Sequence, residues 1–91
     1  MNSFATRIDA RIRDAEVQVK TLSAECRGRV RHLQRKLAQL QAPHDVDHNV
    51  VREVVETGEA ISLILEEKRE IIERIELMRE IRNDELAASK V

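Results

Sequence analysis

The sequence predicts an all-α protein: two long helices in an antiparallel coiled-coil hairpin, which we expect to dimerise into a four-helix bundle. Three observations favour this fold. Apolar residues recur at helical spacing in both halves of the chain, the only proline lies between the halves, and the halves carry opposite net charge. Proline lacks a backbone donor and disfavours helix in the residue before it, so a helix that reaches Ala42 should end there. We therefore expect a single domain over residues 1–91, with helix 1 at about 3–42, a turn at 43–47 and helix 2 at about 48–86.

The first helix is predicted by the most regular apolar pattern in the chain. From Phe4 to Leu40 its apolar positions advance by three or four residues at a time, about 3.6 on average, which places them on one narrow face. Cys26 lies in the middle of this face, where we expect a buried and unreactive thiol. A single cysteine also excludes an internal disulfide and is typical of a reducing cytoplasm.

The turn contains four residues of metal-ligating type within five positions, namely His44, Asp45, Asp47 and His48. On a helix, two histidines four residues apart share a face and could bind zinc or nickel. Pro43 and the need for a helix cap argue against a continuous helix here. Either Asp45 or Asp47 can accept hydrogen bonds from the first free amides of the second helix. We interpret the segment as a polar turn with a capping aspartate, and we expect no metal and no cofactor.

The second helix has more apolar surface than one neighbouring helix can cover. A row that repeats nearer every 3.5 residues, and that includes Ile61, Leu65, Ile72 and Ile75, predicts the contact with the first helix in a left-handed supercoil. Further apolar residues widen this helix on its flank and indicate a second seam. We predict that this flank is a partner or dimer interface made by Val51, Val55, Leu63, Ile64, Ile71, Leu77 and Met78.

The charge distribution favours pairing of the two helices in opposite directions. Residues 1–43 carry nine Lys and Arg against four Asp and Glu, whereas residues 44–91 carry seven against thirteen. A basic helix beside an acidic one disfavours pairing of like with like. Folding about residue 45 joins positions whose numbers sum to about 90. In this register Leu22 meets Lys68 and Ile8 meets Arg82, two layers where the stem of a charged side chain must cover an apolar neighbour.

The sequence predicts no enzymatic activity, because no catalytic constellation or phosphate-binding loop can be drawn and two helices enclose no substrate pocket. We expect a non-enzymatic protein-protein interaction module: a small adaptor, a chaperone-like factor or a regulatory coiled-coil protein. The expected partner is a second copy, or another helical protein, and not a small-molecule substrate. We recognise no family motif in the chain.

The alternative is a nucleic-acid or transcription regulator that uses the basic outer face of the first helix, at Arg27, Arg31 and Arg35. Such a row could follow a phosphate backbone. Net charge is −1 and no aromatic residues are interleaved to stack on bases, which makes nucleic acid the weaker prediction. We also expect a cytoplasmic protein, since neither a signal peptide nor an apolar run of membrane-spanning length is present.

Overall fold

The protein is a two-helix hairpin. The computed structural model describes residues 3–40 and 47–88, and within them helix α1 spans Ser3–Leu40 and helix α2 spans His48–Ala88. The two helices pack against each other, and the molecule measures 72 by 14 by 14 Å. The prediction of an all-helical chain made of two paired helices is confirmed. Residues 41–46, which include Pro43 and most of the predicted turn, lie outside the described residues.

Asp47 caps the start of α2. Its side-chain Oδ1 accepts a hydrogen bond from the backbone N–H of Asn49 at 2.9 Å, and its carbonyl oxygen accepts from Val50 at 3.0 Å and Val51 at 3.2 Å. The bond to Asn49 satisfies an amide that has no partner inside a new helix, and the bond from Val51 is the first backbone bond of the helix itself. Of the two aspartates that the sequence offers as caps, Asp47 fills the position next to His48, while Asp45 lies outside the described residues.

Ion pairs join the start of each helix to the end of the other. Arg82 Nη1 donates to Asp9 Oδ1 at 2.7 Å, and Lys36 Nζ lies 2.8 Å from Glu53 Oε2. The numbers in these pairs sum to 91 and 89, close to the register expected from the sequence. The Arg82 guanidinium pairs with Asp9, the residue that follows the buried Ile8, and this pairing keeps its charge at the edge of the apolar contact.

The hydrophobic core is concentrated at the open end of the hairpin, away from the turn. Ile12 is the most buried residue, at 4% exposure, and Ile75 of α2 follows at 5%. Val19, Leu22 and Met78 pack against this cluster without being fully buried. The buried residues of the described chain are Ala5, Ile8, Ile12, Ala15, Ile64, Ile71 and Ile75. Within Ser3–Leu40, the residues of α1 beyond Ala15 are therefore only partly buried or exposed.

The apolar face of α1 loses its contact with α2 toward the turn. Ile8 is 8% exposed, whereas Leu37, on the same apolar face, is 42% exposed. Two helices that wind around each other in a coiled coil make contact about every 3.5 residues. An apolar face that repeats every 3.6 residues therefore rotates away from this line of contact by roughly 20° per heptad. Ile8 and Leu37 are about four heptads apart, which corresponds to a rotation of roughly 80°. The apolar surface near the turn is consequently exposed along one side of the hairpin.

Candidate interaction surface

The second helix carries a row of exposed apolar residues spaced by seven. Val51, Leu65 and Ile72 are 38%, 49% and 37% exposed, and Gly58 occupies the remaining position of the row. Residues seven apart lie two turns apart on one side of a helix, as in the seams of coiled coils. We call Val51, Gly58, Leu65 and Ile72 the apolar strip. A methyl group added at Gly58 would meet nothing within 4 Å, so the strip is open at this point.

A shallow groove of α1 lies beside the apolar strip. Cys26, Val30 and Lys68 line this groove together with flanking polar residues of α1. Lys68 follows Leu65 by three residues and precedes Ile72 by four, so it is their neighbour on the same side of α2. Cys26 is thus a free, half-buried thiol at the edge of the groove, and not a fully buried one.

A second groove confirms which side of the hairpin the strip occupies. It brings Ile72 and Ile75 of α2 together with Val19 of α1. Leu37 follows Val30 by seven residues and so lies on the same side of α1. The Lys36–Glu53 ion pair places Leu37 near the level of Arg52, which is next to Val51 along α2. We call the side that carries the strip, Val30 and Leu37 the strip face.

The strip face changes from apolar to charged along its length. At the open end Arg79 Nη2 donates to Glu16 Oε1 at 3.4 Å, and these two residues line one shallow groove together with Asp9, Ile12 and Arg82. These intrachain ion pairs border the core where it is best buried. Toward the turn the same face presents Val30, Leu37, Val51 and Leu65. Among residues 3–40 and 47–88, the part of the strip face toward the turn is therefore the more apolar part.

The interface residues predicted from the sequence divide into two groups. Ile64 and Ile71 are 7% and 6% exposed and lie between the two helices, and Met78 packs against the same core cluster. The other four are exposed, namely Val51 at 38%, Val55 at 53%, Leu63 at 66% and Leu77 at 56%. In the hairpin, Ile64, Ile71 and Met78 are thus part of the contact with α1 and do not form an exposed flank.

Two residues of the strip were assigned from the sequence to the contact with α1. Leu65 and Ile72 are exposed, and their neighbours Ile64 and Ile71 take the buried positions instead. Adjacent residues on a helix differ by about 100° in direction, so only one of each pair can face α1. The seven-residue spacing of Val51, Gly58, Leu65 and Ile72 is the pattern that identifies the strip.

Leu63 and Leu77 do not belong to the strip. They are 14 residues apart in sequence, a distance of roughly 21 Å along the helix, and the position midway between them is Glu70. Exposed leucines that lie singly on a surface are ordinary in soluble proteins. These two residues therefore provide a comparison for the strip, since they are equally apolar and even more exposed.

The basic row of α1 is fully accessible. Arg27, Arg31 and Arg35 are all exposed, and the ion pairs found among residues 3–40 and 47–88 do not include them. Arg29 pairs with Glu25 at 3.2 Å on a different side of the helix. Arg27 and Arg31 border the groove that contains Cys26 and Val30, whereas Arg35 is not part of it.

The described part of the turn acts as a helix cap. Asp47 holds the amide of Asn49, and His48 is exposed at the first position of α2. His44 and Asp45, the other two residues of metal-ligating type in this segment, lie outside the described residues. Within residues 3–40 and 47–88, no three His, Cys, Asp or Glu side chains are grouped closely enough to hold a metal ion.

Comparison of the chain with protein-family models, with curated proteins and with solved structures finds no match. Neither described helix contains a stretch that is both long and apolar enough to cross a membrane.

Proposed function

We propose that this protein is a non-enzymatic protein-protein interaction module, a small adaptor, chaperone-like or regulatory coiled-coil protein, that dimerises through the strip face into a four-helix bundle. The observation that carries the proposal is the apolar strip. It consists of four positions at seven-residue spacing, Gly58 and three apolar side chains that are 37–49% exposed, on the side of α2 next to the groove of α1. The pairing of opposite helix ends supports an antiparallel hairpin as its building block.

The limited core of the hairpin supports the need for a partner. Near the turn, Leu37 and Val51 remain 42% and 38% exposed. A pair of helices buries only one side of each, and ordering each residue opposes folding by roughly 1.5 kcal/mol. Another pair of helices on the strip face would remove this apolar surface from water at roughly 25 cal/mol per Å².

The proposal is tested by sedimentation equilibrium of the purified protein at micromolar concentration, compared with two double variants. In Leu65→Glu with Ile72→Glu, two charges are placed in the apolar strip, and we expect a monomer. In Leu63→Glu with Leu77→Glu, the same two changes are made outside the strip, and we expect the dimer to persist. Circular dichroism establishes that both variants remain helical.

The two variants distinguish the apolar strip from the side of α2 that carries Leu63 and Leu77. A wild-type chain that stays a well-folded monomer contradicts the proposal. If the Leu63 and Leu77 variant loses the dimer while the Leu65 and Ile72 variant keeps it, the interface lies on the side of α2 that carries Leu63 and Leu77 and not on the strip face.

A nucleic-acid or transcription regulator is the second candidate, and the exposure of Arg27, Arg31 and Arg35 favours it. Arg35 lies outside the groove, so Arg35→Glu should weaken retention of RNA or DNA at low salt without changing self-association. Undiminished retention by this variant, or no retention by the wild-type protein, removes the candidate.

A further inference from the structure

We propose that the second copy packs with its turn at the same end, so that α1 of each hairpin lies across the strip face on α2 of the other. This inference rests on the proposed self-association and specifies its geometry. Two hairpins that meet through one face have two simple two-fold arrangements. An axis parallel to the helices places α1 over α2 of the second copy, whereas an axis perpendicular to them in the interface places α1 over α1.

The charges near the turn select the first arrangement. Residues 24–40 of α1 carry five basic residues against one acidic residue, and residues 48–66 of α2 carry four acidic residues against one basic residue. These segments flank the apolar part of the strip face, where the second copy must make its closest contact. Packing α1 on α1 would bring two basic segments together, while packing α1 on α2 brings opposite charges together.

The register identifies the residues that should meet. A two-fold axis parallel to the helices leaves every residue at the same height along the helix axes in both copies. Positions whose numbers sum to about 90 then face each other between copies as well as within one. Arg31 therefore lies opposite Glu59 of the second copy, and Arg27 lies between the levels of Glu59 and Glu66.

These positions also lie at the correct edge of the seam. Glu59 and Glu66 each follow a residue of the apolar strip, Gly58 and Leu65, by one position, and so border the strip on its outer side. On α1, Arg31 follows Val30 by one position in the same way. In antiparallel coiled coils, residues at equivalent flanking positions of the two helices face each other across the seam. Arg27, Arg31, Glu59 and Glu66 are all exposed in the hairpin.

The long side of the hairpin, taken as a whole, is large enough for a stable contact. One long side of the hairpin measures 72 by 14 Å, roughly 1,000 Å², and a standard specific interface buries roughly 800 Å² per partner. From Arg69 toward Arg79 the strip face becomes charged, and Glu16 and Arg79 already pair within one chain. The Cys26 to Leu37 segment of α1 and the Val51 to Leu65 segment of α2 should form the centre of the interface.

A charge exchange between two full-length variants tests the orientation. One variant carries Arg27→Glu with Arg31→Glu, and the other carries Glu59→Lys with Glu66→Lys. Sedimentation and native mass spectrometry at low salt should show that each variant alone dimerises roughly tenfold or more weakly than the wild-type protein. A one-to-one mixture should form a heterodimer of near wild-type affinity, because both of its α1–α2 contacts regain opposite charges. Arg35→Glu, outside the groove, is the matched control and should dimerise normally.

The possible results separate this geometry from the proposed function. If α1 packs on α1, the lysine variant dimerises like the wild type and the orientation is overturned. If neither variant weakens a wild-type dimer, or mixing restores nothing, the orientation fails while self-association stands. A wild-type monomer would overturn the self-association on which this inference rests.

Discussion

At the residue scale, Asp47 shows how one side chain fixes where a helix begins. Its carboxylate accepts the Asn49 N–H at 2.9 Å, and α2 starts at the next residue, His48. Asp45 and Asp47 were equal candidates in the sequence, because both are good caps and both follow Pro43 closely. The predicted start of helix 2 at about residue 48 lies next to Asp47, but a shift of two residues would make Asp45 the cap, since the choice depends on which residue first adopts helical geometry. Here α2 starts at His48, so Asp47 occupies the cap position.

Replacement of this cap should weaken the hairpin measurably. In Asp47→Ala the Asn49 amide loses its acceptor, and we expect the free energy of unfolding to fall by about 1 kcal/mol. Urea unfolding followed by circular dichroism provides the measurement. Asp47→Asn keeps a side-chain oxygen at the same place and should remain close to the wild type. Equal stability of the alanine variant and the wild type would show that the cap contributes nothing.

At the element scale, the two helices differ in how far the sequence predicts them. The 3.6-residue spacing of α1 identifies both a helix and its apolar face, and Ile8, Ile12 and Ala15 are buried as that face requires. The spacing does not reveal how far along the helix the contact persists. That depends on the rotation of the face relative to α2, which leaves Leu37 42% exposed.

Helix α2 was ambiguous because apolar residues occur in adjacent pairs. Ile64 with Leu65, and Ile71 with Ile72, each offer two residues for one buried position, and hydrophobicity alone cannot decide which one faces α1. The structure buries Ile64 and Ile71 and exposes Leu65 and Ile72. The charges and the position of Pro43 predict which residues of the two helices lie at the same height. The direction in which each residue of α2 points can be known only from how the two helices pack.

The core at the open end should dominate the stability of the hairpin. Ile12 is 4% exposed and belongs to the main buried cluster, so Ile12→Ala should lower the free energy of unfolding by about 2–4 kcal/mol through lost burial and an incompletely filled cavity. The control is Leu63→Ala, at a residue that is 66% exposed, which should change stability by about 0.5 kcal/mol or less. Urea titration of both variants distinguishes them, and similar losses at the two sites would contradict this description of the core.

At the scale of the whole molecule, the main buried cluster lies at the open end of the hairpin, and the exposed apolar strip lies on one side of α2 between Val51 and Ile72. The buried cluster around Ile12 and Ile75 and the ion pairs of Asp9 and Glu16 hold the open end together. The end near the turn combines a capped α2 with apolar side chains that the hairpin itself leaves exposed. In the proposed dimer, the open end would hold the two helices together while the apolar strip contacts the second copy. The sequence predicted excess apolar surface on α2, but its location required both helices.

If the turn end is stabilised by a second copy, thermal stability must depend on protein concentration. A partner that binds the folded hairpin stabilises it by mass action, so the unfolding midpoint of the wild-type protein should rise as concentration increases from micromolar to hundreds of micromolar. Scanning calorimetry over this range measures the shift. Leu65→Glu with Ile72→Glu should unfold at a lower midpoint that no longer changes with concentration. The Leu63 and Leu77 variant should keep the wild-type dependence, because its charges lie outside the apolar strip. A wild-type midpoint that is constant across the range would mean that the hairpin folds without a second copy, and that the strip face remains exposed in the free protein.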